Sequence, residues 1–460
     1  MQYQLRLSGK HHDQLLQHLF PTDGKEAVAV ILCGRHETED LSIMLSYKVV
    51  LIPYKDCERH PEYIKWKTDR IIPLLEEVEK KNLAILKIHS HPGGYSKFSA
   101  VDDASDSELF PSVFSWSETK SVHGSAVMLP DGKIFGRVFT KEMEVIPFDS
   151  VSVAGDDIRI WRQKDQTNIE GFALRTIQAF GESTYQQLRG LKVGVIGCSG
   201  TGSPTIEQLA RLGVKQLVLI DPDPVEEKNL NRIINSYRAD IGTKKTTILE
   251  RAIKAMDLGT HVKVYENNLY DSKEAIYDLI TCDIVVGCVD SVDGRHLVSQ
   301  ITNFYLVPYF DIGVRLVADR KGGIESIVAS VNYIQPGCSS LLSRNLYDIE
   351  MLREEATMRT NPEEYKDLLK RKYFRGVNVD RPAVISINMQ ISSMAVNELL
   401  NRIHRFKEDP PSRYARMMMD YCGSCIDNAS ESDFEQDTNS DKWAGRGDCI
   451  PFLRMPDLAL

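Results

Sequence analysis

Residues 192–202 of this chain read KVGVIGCSGTG, and they decide the fold of its larger part. An apolar strand-like run ends here in a turn that holds Gly197, Gly200 and Gly202. An amphipathic helical pattern follows at once, and strand and helix patterns alternate from there to about residue 290. Strands that alternate with helices build a parallel sheet with helices on both faces, so the stretch predicts a doubly wound, Rossmann-like α/β domain.

The same turn predicts a phosphate site. Glycines between a strand and a helix let backbone N–H groups approach phosphates at the helix N-terminus. Asp221 ends the next predicted strand, where a carboxylate can bind ribose hydroxyls. Together these features indicate a dinucleotide or ATP, without choosing between them.

Polar residues beyond Asp221 favour ATP over a nicotinamide dinucleotide. They are Asp223, Asn229, Arg232, Lys245 and Asp290. Hydride transfer needs no set of cations and carboxylates at the phosphates, whereas adenylyl transfer does. Charge develops on the α-phosphate and on the departing pyrophosphate, and a carboxylate must hold Mg²⁺. We therefore predict an ATP and Mg²⁺ site, with a dehydrogenase as the weaker alternative.

A different group of residues in the first 150 predicts a metal site. One of several short strand-like runs there ends in His89-Ser90-His91-Pro92. Side chains alternate along a strand, so His89 and His91 point the same way and can hold one ion. Asp102 follows near a predicted helix start. Two imidazoles and one carboxylate predict a three-ligand zinc site with one position left for water.

Hydrolysis at such a site also needs a proton acceptor. Glu26, at the head of the strand-like run EAVAVILCG, is our candidate for the general base. The hydroxyl of Ser99 is our candidate for stabilising the oxyanion. We predict both as catalytic residues of a zinc hydrolase.

The order His89-x-His91-x7-Ser99-x2-Asp102 resembles the JAMM motif of the JAB/MPN metalloproteases. The segment GKEAVAVILCG resembles the one that carries their glutamate, and the resemblance covers about residues 1–145. It implies an α/β zinc domain that hydrolyses peptide or isopeptide bonds after the C-terminus of ubiquitin and ubiquitin-like proteins.

About residues 170–425 closely resemble the ThiF/MoeB and ubiquitin-activating-enzyme superfamily, on the glycine turn and the polar residues quoted above. The resemblance implies that Asp221 binds ribose and that Asp290 holds magnesium. It also implies that Asn229, Arg232 and Lys245 bind the phosphates. Arg175 resembles the family arginine that reaches the ATP of a partner subunit, which implies a homodimer. Ser199 stands where the family usually has its second glycine.

The nine cysteines are spread along the chain, which is not typical of a secreted disulfide framework. The ThiF/MoeB family commonly binds structural zinc with two CxxC pairs. Here Cys422 and Cys425 form one pair, Cys338 alone remains of the other, and Cys449 could supply the fourth ligand. Alternatively, Cys338 or Cys449 is a thioester nucleophile, or the chain forms no thioester.

Composition excludes several classes of protein. Apolar residues make up 42% of the chain and charged residues 26%, as in ordinary globular proteins. With 56 basic and 65 acidic residues, the net charge of −9 disfavours binding to nucleic acid or anionic membranes. No apolar run reaches the ~18 residues that span a membrane, and the N-terminus lacks the apolar core of a signal peptide. We expect a cytoplasmic protein that binds neither nucleic acid nor a membrane.

We predict four segments: a JAB/MPN-like domain over 1–150, a connector with helices over 151–190, a ThiF/MoeB-like domain over 191–425, and an acidic loop with a tail over 426–460. The expected function is a two-headed enzyme of the bacterial ubiquitin-like conjugation type. Its partners would be a ubiquitin-like protein and, for conjugation, a ubiquitin-conjugating-like enzyme. The alternatives are activation of a sulfur-carrier protein and a non-catalytic adaptor.

Overall fold

A computed structural model of the chain describes residues 1–116, 121–163, 169–319, 321–374, 376 and 382–449. The chain divides into two compact units. The first unit runs from Met1 to Lys164 and also takes in Asn303–Leu306 and the segment that starts at Lys442. The second unit consists of Asp165–Thr302 and Val307–Asp441.

The first unit is an α/β layer structure around one large sheet. Its described elements are β1 (Gln2–Ser8), α1 (Gly9–Leu19), β2 (Val28–Glu37), β3 (Leu41–Leu51), β4 (Cys57–Arg59), β5 (Ile64–Trp66), α2 (Leu75–Lys80), β6 (Ala84–Ser90), α3 (Ala100–Trp116), β7 (His123–Met128), β8 (Ile134–Phe139), β9 (Val145–Pro147), β10 (Ser150–Ala154) and β11 (Ile158–Arg162). Within the described residues the sheet has the order β11-β10-β1-β3-β2-β6-β7-β8-β9, while β4 and β5 form a separate hairpin.

The central strands β2, β6 and β7 are buried on both faces, and successive side chains along a strand point to opposite faces of the sheet. On β2, Ala29 and Ile31 join the apolar cluster that contains Leu15 of α1. Their neighbours Val28 and Val30 join the opposite cluster, together with Phe110 of α3. The face that carries α3 is the one that positions the metal-ligating residues.

The second unit contains the predicted doubly wound sheet. From residue 174 onward the elements are α4 (Leu174–Phe180), α5 (Glu182–Arg189), β12 (Lys192–Ile196), α6 (Gly202–Arg211), β13 (Gln216–Ile220), α7 (Lys245–Met256), β14 (His261–Tyr265), α8 (Lys273–Ile280), β15 (Ile284–Gly287), α9 (Val292–Phe304), β16 (Tyr309–Ala318), β17 (Ile324–Ile334), α10 (Ile349–Thr360), α11 (Pro362–Lys370), α12 (Ile385–Ile403), β18 (Arg416–Asp420), β19 (Cys425–Ala429) and α13 (Thr438–Trp443). The order of the described strands is β14-β13-β12-β15-β16-β17-β18-β19.

Strands β12 to β16 pair in parallel, and β16 to β19 pair antiparallel. The parallel half places the carboxyl ends of β12, β13 and β15 at one edge of the sheet, which is where α/β sheets bind ligands. The α/β fold class predicted from the sequence is confirmed in both units.

The segment boundaries differ from the predicted ones in two places. The boundary at residue 150 falls inside the first sheet, because β10 pairs in parallel with β1 and β11 pairs with β10. The described residues of the acidic stretch 426–460 do not form a single loop with a tail. Strand β19 extends the second sheet, whereas residues from Lys442 onward belong to the first unit. No helix within the described residues is long and apolar enough to span a membrane.

Candidate functional site

The metal-ligating side chains predicted in the first unit lie together. His89, His91 and Asp102 are buried, and one ligand atom of each lies within 4.8 Å of the others. Asp102 Oδ1 is 2.8 Å from Nε2 of His89, and Oδ2 is 3.3 Å from Nε2 of His91. The two Nε2 atoms are 3.2 Å apart. The structure therefore brings the three predicted zinc ligands into one cluster.

Secondary structure explains this convergence. His89 lies near the end of β6, and His91, two residues on, lies on the same face. Asp102 lies in the first turn of α3, which packs on that face of the sheet. The first turn of a helix is where a carboxylate is stabilised by unpaired backbone N–H groups and the helix dipole.

The donor set fits a zinc ion. In a tetrahedral site with bonds of about 2.0 Å, neighbouring ligand atoms are about 3.3 Å apart, close to the distances between these three groups. Nδ1 of His91 lies 2.7 Å from the carbonyl oxygen of Tyr95 and donates its proton there, so the lone pair of Nε2 faces the cluster. Among the described residues, Nδ1 of His89 is buried without a hydrogen-bond partner.

The pKa values of the ligands reflect their mutual contacts. Burial lowers the pKa of His89 and so favours the neutral imidazole, which is the form that binds metals. Burial alone would raise the pKa of Asp102, but the hydrogen bonds of His89 and His91 outweigh it and hold that pKa well below its usual range. Asp102 is therefore present as a carboxylate.

Glu26 lies beside this cluster, as predicted. Strand register pairs Val28 with His89, and the Ala27 N–H donates to the Ser90 hydroxyl (3.0 Å), so Glu26 lies across from His91 and on its face. The Glu26 side chain is only 3% exposed, and its Oε2 has no hydrogen-bond partner among the described residues. Burial raises the pKa of Glu26 to about 8, against the opposing effect of His91. A buried carboxyl group with a free oxygen suits proton transfer.

Ser99 contacts the ligand Asp102 directly. Its backbone N–H and its hydroxyl both donate to Oδ2 of Asp102, at 2.7 and 2.8 Å. The hydroxyl also accepts the backbone N–H of Asp102 at 3.2 Å. In this arrangement Ser99 orients the carboxylate, and its predicted role at the oxyanion stays a prediction.

The glycine turn of the second unit lies between β12 and α6. Gly197 has a φ of +89°, which favours glycine. A Cβ on Gly202 would overlap the carbonyl oxygen of Gly197, and one on Gly200 would overlap the side-chain amide of Asn388. Ser199 has no left-handed backbone conformation, and its carbonyl accepts the N–H of Ser203 (2.9 Å) as α6 begins. The serine therefore fits the turn.

Asp221, Asp223 and Lys245 meet beside this turn. Both oxygens of Asp221 accept backbone N–H groups, from Cys198 at 2.7 Å and from Asp223 at 2.9 Å. Nζ of Lys245 lies 2.8 Å from the Asp223 carboxylate and 3.4 Å from that of Asp221. Asp221 is buried, whereas the side chain of Asp223 is 63% exposed. Asp221 thus shapes the turn, and Asp223 is the carboxylate open to solvent.

Arg232 and Asn229 use part of their hydrogen-bonding capacity within their own loop. Arg232 donates to the carbonyl oxygen of Lys228 at 2.8 Å, and its Cδ lies next to Gly200. The side-chain oxygen of Asn229 accepts the N–H of Glu226 at 3.0 Å. The stem of Arg232 is therefore placed at the glycine turn, while the buried Asn229 stabilises the loop.

Asp290 and Arg175 are exposed. Asp290 follows β15, so it lies at the same edge of the sheet as the glycine turn. Its exposed carboxylate is the kind of ligand that Mg²⁺ accepts beside phosphate oxygens. Arg175 lies on α4 and donates to Gln178 at 3.0 Å. The described contacts do not join Arg175 to the glycine turn of its own chain.

Sequence reasoning missed three residues that contact this edge from elsewhere in the second unit. Asn388 and Ser392 lie on α12, and the Ser392 hydroxyl donates to the carbonyl oxygen of Thr201 at 2.7 Å. Arg295 on α9 lies 3.3 Å from Asp311 and donates to the carbonyl oxygen of Val289 at 3.1 Å. No local pattern marks these residues, because only the packing of α9 and α12 brings them to the turn.

The structure does not assemble the predicted four-cysteine set. Cys422 and Cys425 are exposed around the turn between β18 and β19, and Cys338 is partly buried in the same unit. Cys449 lies in the last described segment of the first unit. Among the described residues, the cluster at His89 is the one group of three or more metal-ligating side chains. Burial raises the pKa of Cys449, which disfavours the thiolate needed for a thioester.

Hydrogen bonds hold the loop at Cys338 instead. The Ser339 N–H donates to Glu431 at 2.8 Å, and the Ser340 hydroxyl donates to Asp437 at 2.6 Å. The buried Arg344 donates to the other oxygen of Glu431 at 2.7 Å. Carboxylates of the acidic stretch after β19 therefore hold the loop in which Cys338 alone remains of the family's second pair of cysteines.

Several characterised proteins are similar to parts of this chain. Over 168 residues it is 30% identical to ubiquitin-like modifier-activating enzyme 5 of Culex quinquefasciatus, which covers 33% of this chain and 39% of that protein. Over 146 residues it is 27% identical to SAMP-activating enzyme E1 of Haloferax volcanii, covering 31% of this chain and 53% of that protein. The chain thus spans about half or less of the length of these relatives.

Solved structures are similar at lower identity. The crystal structure of E. coli MccB with MccA-N7isoASN matches at a TM-score of 0.44 and 17% identity, covering 57% of this chain and 73% of that one. At the level of families, residues 8–134 match the prokaryotic homologs of the JAB domain. Residues 173–427, more than half of the chain, match the ThiF family. The chain therefore belongs to the ThiF family and carries a JAB domain at its N-terminus.

Proposed function

We propose that this chain is a two-headed enzyme that acts on the C-terminus of a ubiquitin-like protein. The second unit adenylates the C-terminal carboxylate with ATP, and the first unit hydrolyses peptide or isopeptide bonds after that C-terminus. One observation carries the proposal: a buried His89, His91 and Asp102 cluster with Glu26 beside it shares a chain with a ThiF-family glycine turn and its Lys245.

In the adenylation step, an oxygen of the tail carboxylate attacks the α-phosphorus of ATP. The bond from that phosphorus to the bridging oxygen breaks, and pyrophosphate leaves with the electron pair. Backbone N–H groups of the glycine turn would bind the phosphates, and Lys245 and Arg232 would stabilise the charge that develops on them. Asp221, with the exposed Asp223 beside it, would bind the ribose, and Asp290 would hold Mg²⁺. Adenylates of this kind can be passed to a thiol, to sulfide or to an amine.

In the hydrolytic step, water is added across a C–N bond. Its oxygen joins the carbonyl carbon, and a proton is delivered to the departing nitrogen. Glu26, which lies across from His91, would take the proton from the water and return it to that nitrogen. His89, His91 and Asp102 would hold a zinc ion, which supplies a Lewis acid for the carbonyl oxygen. Ser99 keeps the Asp102 carboxylate in place.

We further propose that the chain works as a symmetric homodimer in the cytoplasm. Arg175 is exposed and makes its described hydrogen bond within its own helix, so it is available to a second copy. In an isologous dimer each subunit would offer this arginine to the other, giving two equivalent composite ATP sites.

Two assays test the proposal with the full chain. The first is exchange of labelled pyrophosphate into ATP, with a panel of ubiquitin-like proteins from the same genome, each with a free or an amidated C-terminus. The second is cleavage of the same proteins carrying a C-terminal peptide extension. We expect exchange only with a free carboxylate, and cleavage only with zinc present. The dehydrogenase alternative would be favoured if no member of the panel supported exchange and the chain bound a nicotinamide cofactor tightly.

A further inference from the structure

A second layer of buried charges lies behind the metal-ligating cluster of the first unit. Lys87 precedes His89 by two residues on β6, so both side chains lie on the face that carries α3. Nζ of Lys87 forms an ion pair with Asp106 and lies 3.4 Å from the Ser105 hydroxyl. The side chains of Lys87 and Asp106 are 4% and 1% exposed.

Asp106 binds a second cation from another strand. Its Oδ2 accepts two hydrogen bonds from Arg137 of β8, one from the NH2 group at 2.7 Å and one from Nε at 3.2 Å. The guanidinium of Arg137 also lies 3.8 Å from the ring centre of Phe98, the residue that precedes Ser99. Asp106 therefore joins α3 to both β6 and β8. We call Lys87, Asp106 and Arg137 the charge layer.

The charge layer connects directly to the ligands. Asp106 follows Asp102 by four residues, so it lies one helical turn further along the same face of α3. Lys87 shares its strand and face with His89. Lys87 thus neighbours His89 on β6, and Asp106 neighbours Asp102 on α3. The Lys87–Asp106 pair and the His89–Asp102 pair both connect β6 to α3.

Apolar packing also holds this helix on the sheet. Phe110 and Val113 of α3 are fully buried against the strands. Removing a lysine, an aspartate and most of an arginine from water costs several kcal/mol per ion, and well-packed apolar residues of similar volume are often equally stable. Charges differ from apolar side chains in that paired hydrogen bonds fix direction and distance.

We propose that Lys87, Asp106 and Arg137 are positioning residues for the metal centre, which set the placement of α3 so that Asp102 meets His89 and His91. The inference rests on the proposed function, because it takes the cluster to be a zinc site. Groups that orient metal ligands typically change metal affinity by 10- to 100-fold when they are removed.

Zinc affinity of the full chain, measured by competition with a chromophoric chelator, tests this proposal alongside thermal unfolding of the metal-free protein. Asp106→Asn should weaken zinc binding about 10- to 100-fold. The double variant Lys87→Met with Asp106→Leu replaces the ion pair by apolar side chains, while Arg137 keeps its ion pair with Asp103 (2.6 Å). It should therefore unfold near the wild-type temperature, yet bind zinc as weakly. Leu109→Ala, on the same helix and buried in its apolar cluster, is the matched control. It should lower the unfolding temperature and leave zinc affinity near that of the wild type.

The outcomes separate the two levels of the proposal. A wild-type chain that binds no zinc would overturn the function proposed for the first unit and this inference with it. A wild-type chain that binds zinc, with equal affinity in the double variant, would overturn the positioning role alone. Equal losses of affinity in Leu109→Ala and in the double variant would also overturn it, because any weakening of α3 would then suffice.

Discussion

The metal-ligating cluster of the first unit and the nucleotide edge of the second unit are built in opposite ways. The three ligands of the cluster are buried and already 2.8 to 3.3 Å from one another. At the nucleotide edge, Asp290 and Arg175 are exposed, and Arg232 donates to a backbone carbonyl oxygen. The glycine turn and the Lys245 contacts are formed there, whereas these outer charged groups lie at the surface.

This difference follows from what each site would bind. A small cation needs three donor atoms at fixed distances, and only buried side chains on regular elements hold them so closely. A nucleotide brings its own charges and spans a much longer surface, so exposed side chains can move to meet it. We therefore expect substitution of a ligand in the cluster to abolish zinc binding. Substitutions at the nucleotide edge should instead reduce pyrophosphate exchange by degrees.

The largest effect is expected from Asp102→Ala. Removal of one of three ligands should abolish zinc binding and reduce cleavage to the uncatalysed level, while pyrophosphate exchange by the second unit continues. Metal analysis and the two assays measure this. Glu108→Ala, an exposed position on the same helix, is the control and should retain zinc and activity. Full zinc content in Asp102→Ala would contradict the assignment of the ligands.

Glu26→Gln should lower the cleavage rate by about 10²- to 10⁴-fold, the usual contribution of a general base. Zinc content should stay at the wild-type value, because Glu26 is not one of the three ligands. Glu62→Gln, an exposed residue of the β4 to β5 hairpin, serves as the comparison. Loss of zinc in Glu26→Gln would instead make Glu26 a ligand.

Asp290→Ala and Arg232→Ala should each lower pyrophosphate exchange by about 10²- to 10³-fold, or about 2.7–4 kcal/mol. Cleavage by the first unit should not change, since the two sites share no residues. Lys228→Ala removes an exposed cation from the same loop and should leave exchange near the wild-type rate. A similar fall in all three variants would mean that general loss of positive or negative charge, rather than specific contact, explains the result.

Mixing Arg175→Ala chains with Asp290→Ala chains tests whether the nucleotide edge is completed by a partner subunit. Random pairing makes half of the dimers mixed, and each mixed dimer has one intact composite site, so about a quarter of the wild-type exchange rate should return. Separately, each variant should be nearly inactive. A monomeric wild-type chain with full exchange activity would refute the composite site.

The smallest effect is expected from the cysteines. Cys422→Ser with Cys425→Ser should leave zinc content unchanged, and the free energy of unfolding should shift by less than about 0.5 kcal/mol, as for exposed positions. Glu431→Ala should cost about 1–3 kcal/mol, because it leaves the buried Arg344 without its carboxylate. Denaturant unfolding measures both. Zinc loss in the cysteine variant would restore the predicted four-cysteine site.

Local patterns in the sequence were enough to predict the α/β class, the glycine turn and the pairing of His89 with His91. These features depend on alternation along a strand and on residues close in the chain, and a single sequence contains that information directly. The position of Glu26 was predicted only from its neighbours. Its placement beside His91 depends on the register between β2 and β6, which segments far apart in the chain decide together.

Other features depended entirely on tertiary packing. Asp106 could be recognised as a neighbour of the His89, His91 and Asp102 cluster only when α3 was seen to lie on β6 and β8. Asn388 reached the glycine turn only through the packing of α12, and β10 extended the first sheet past the predicted boundary by pairing with β1. The sequence by itself determined which chemical groups stand at the ends of which elements. The tertiary structure alone decided which distant groups meet, because burial of the apolar faces sets the order and register of the elements.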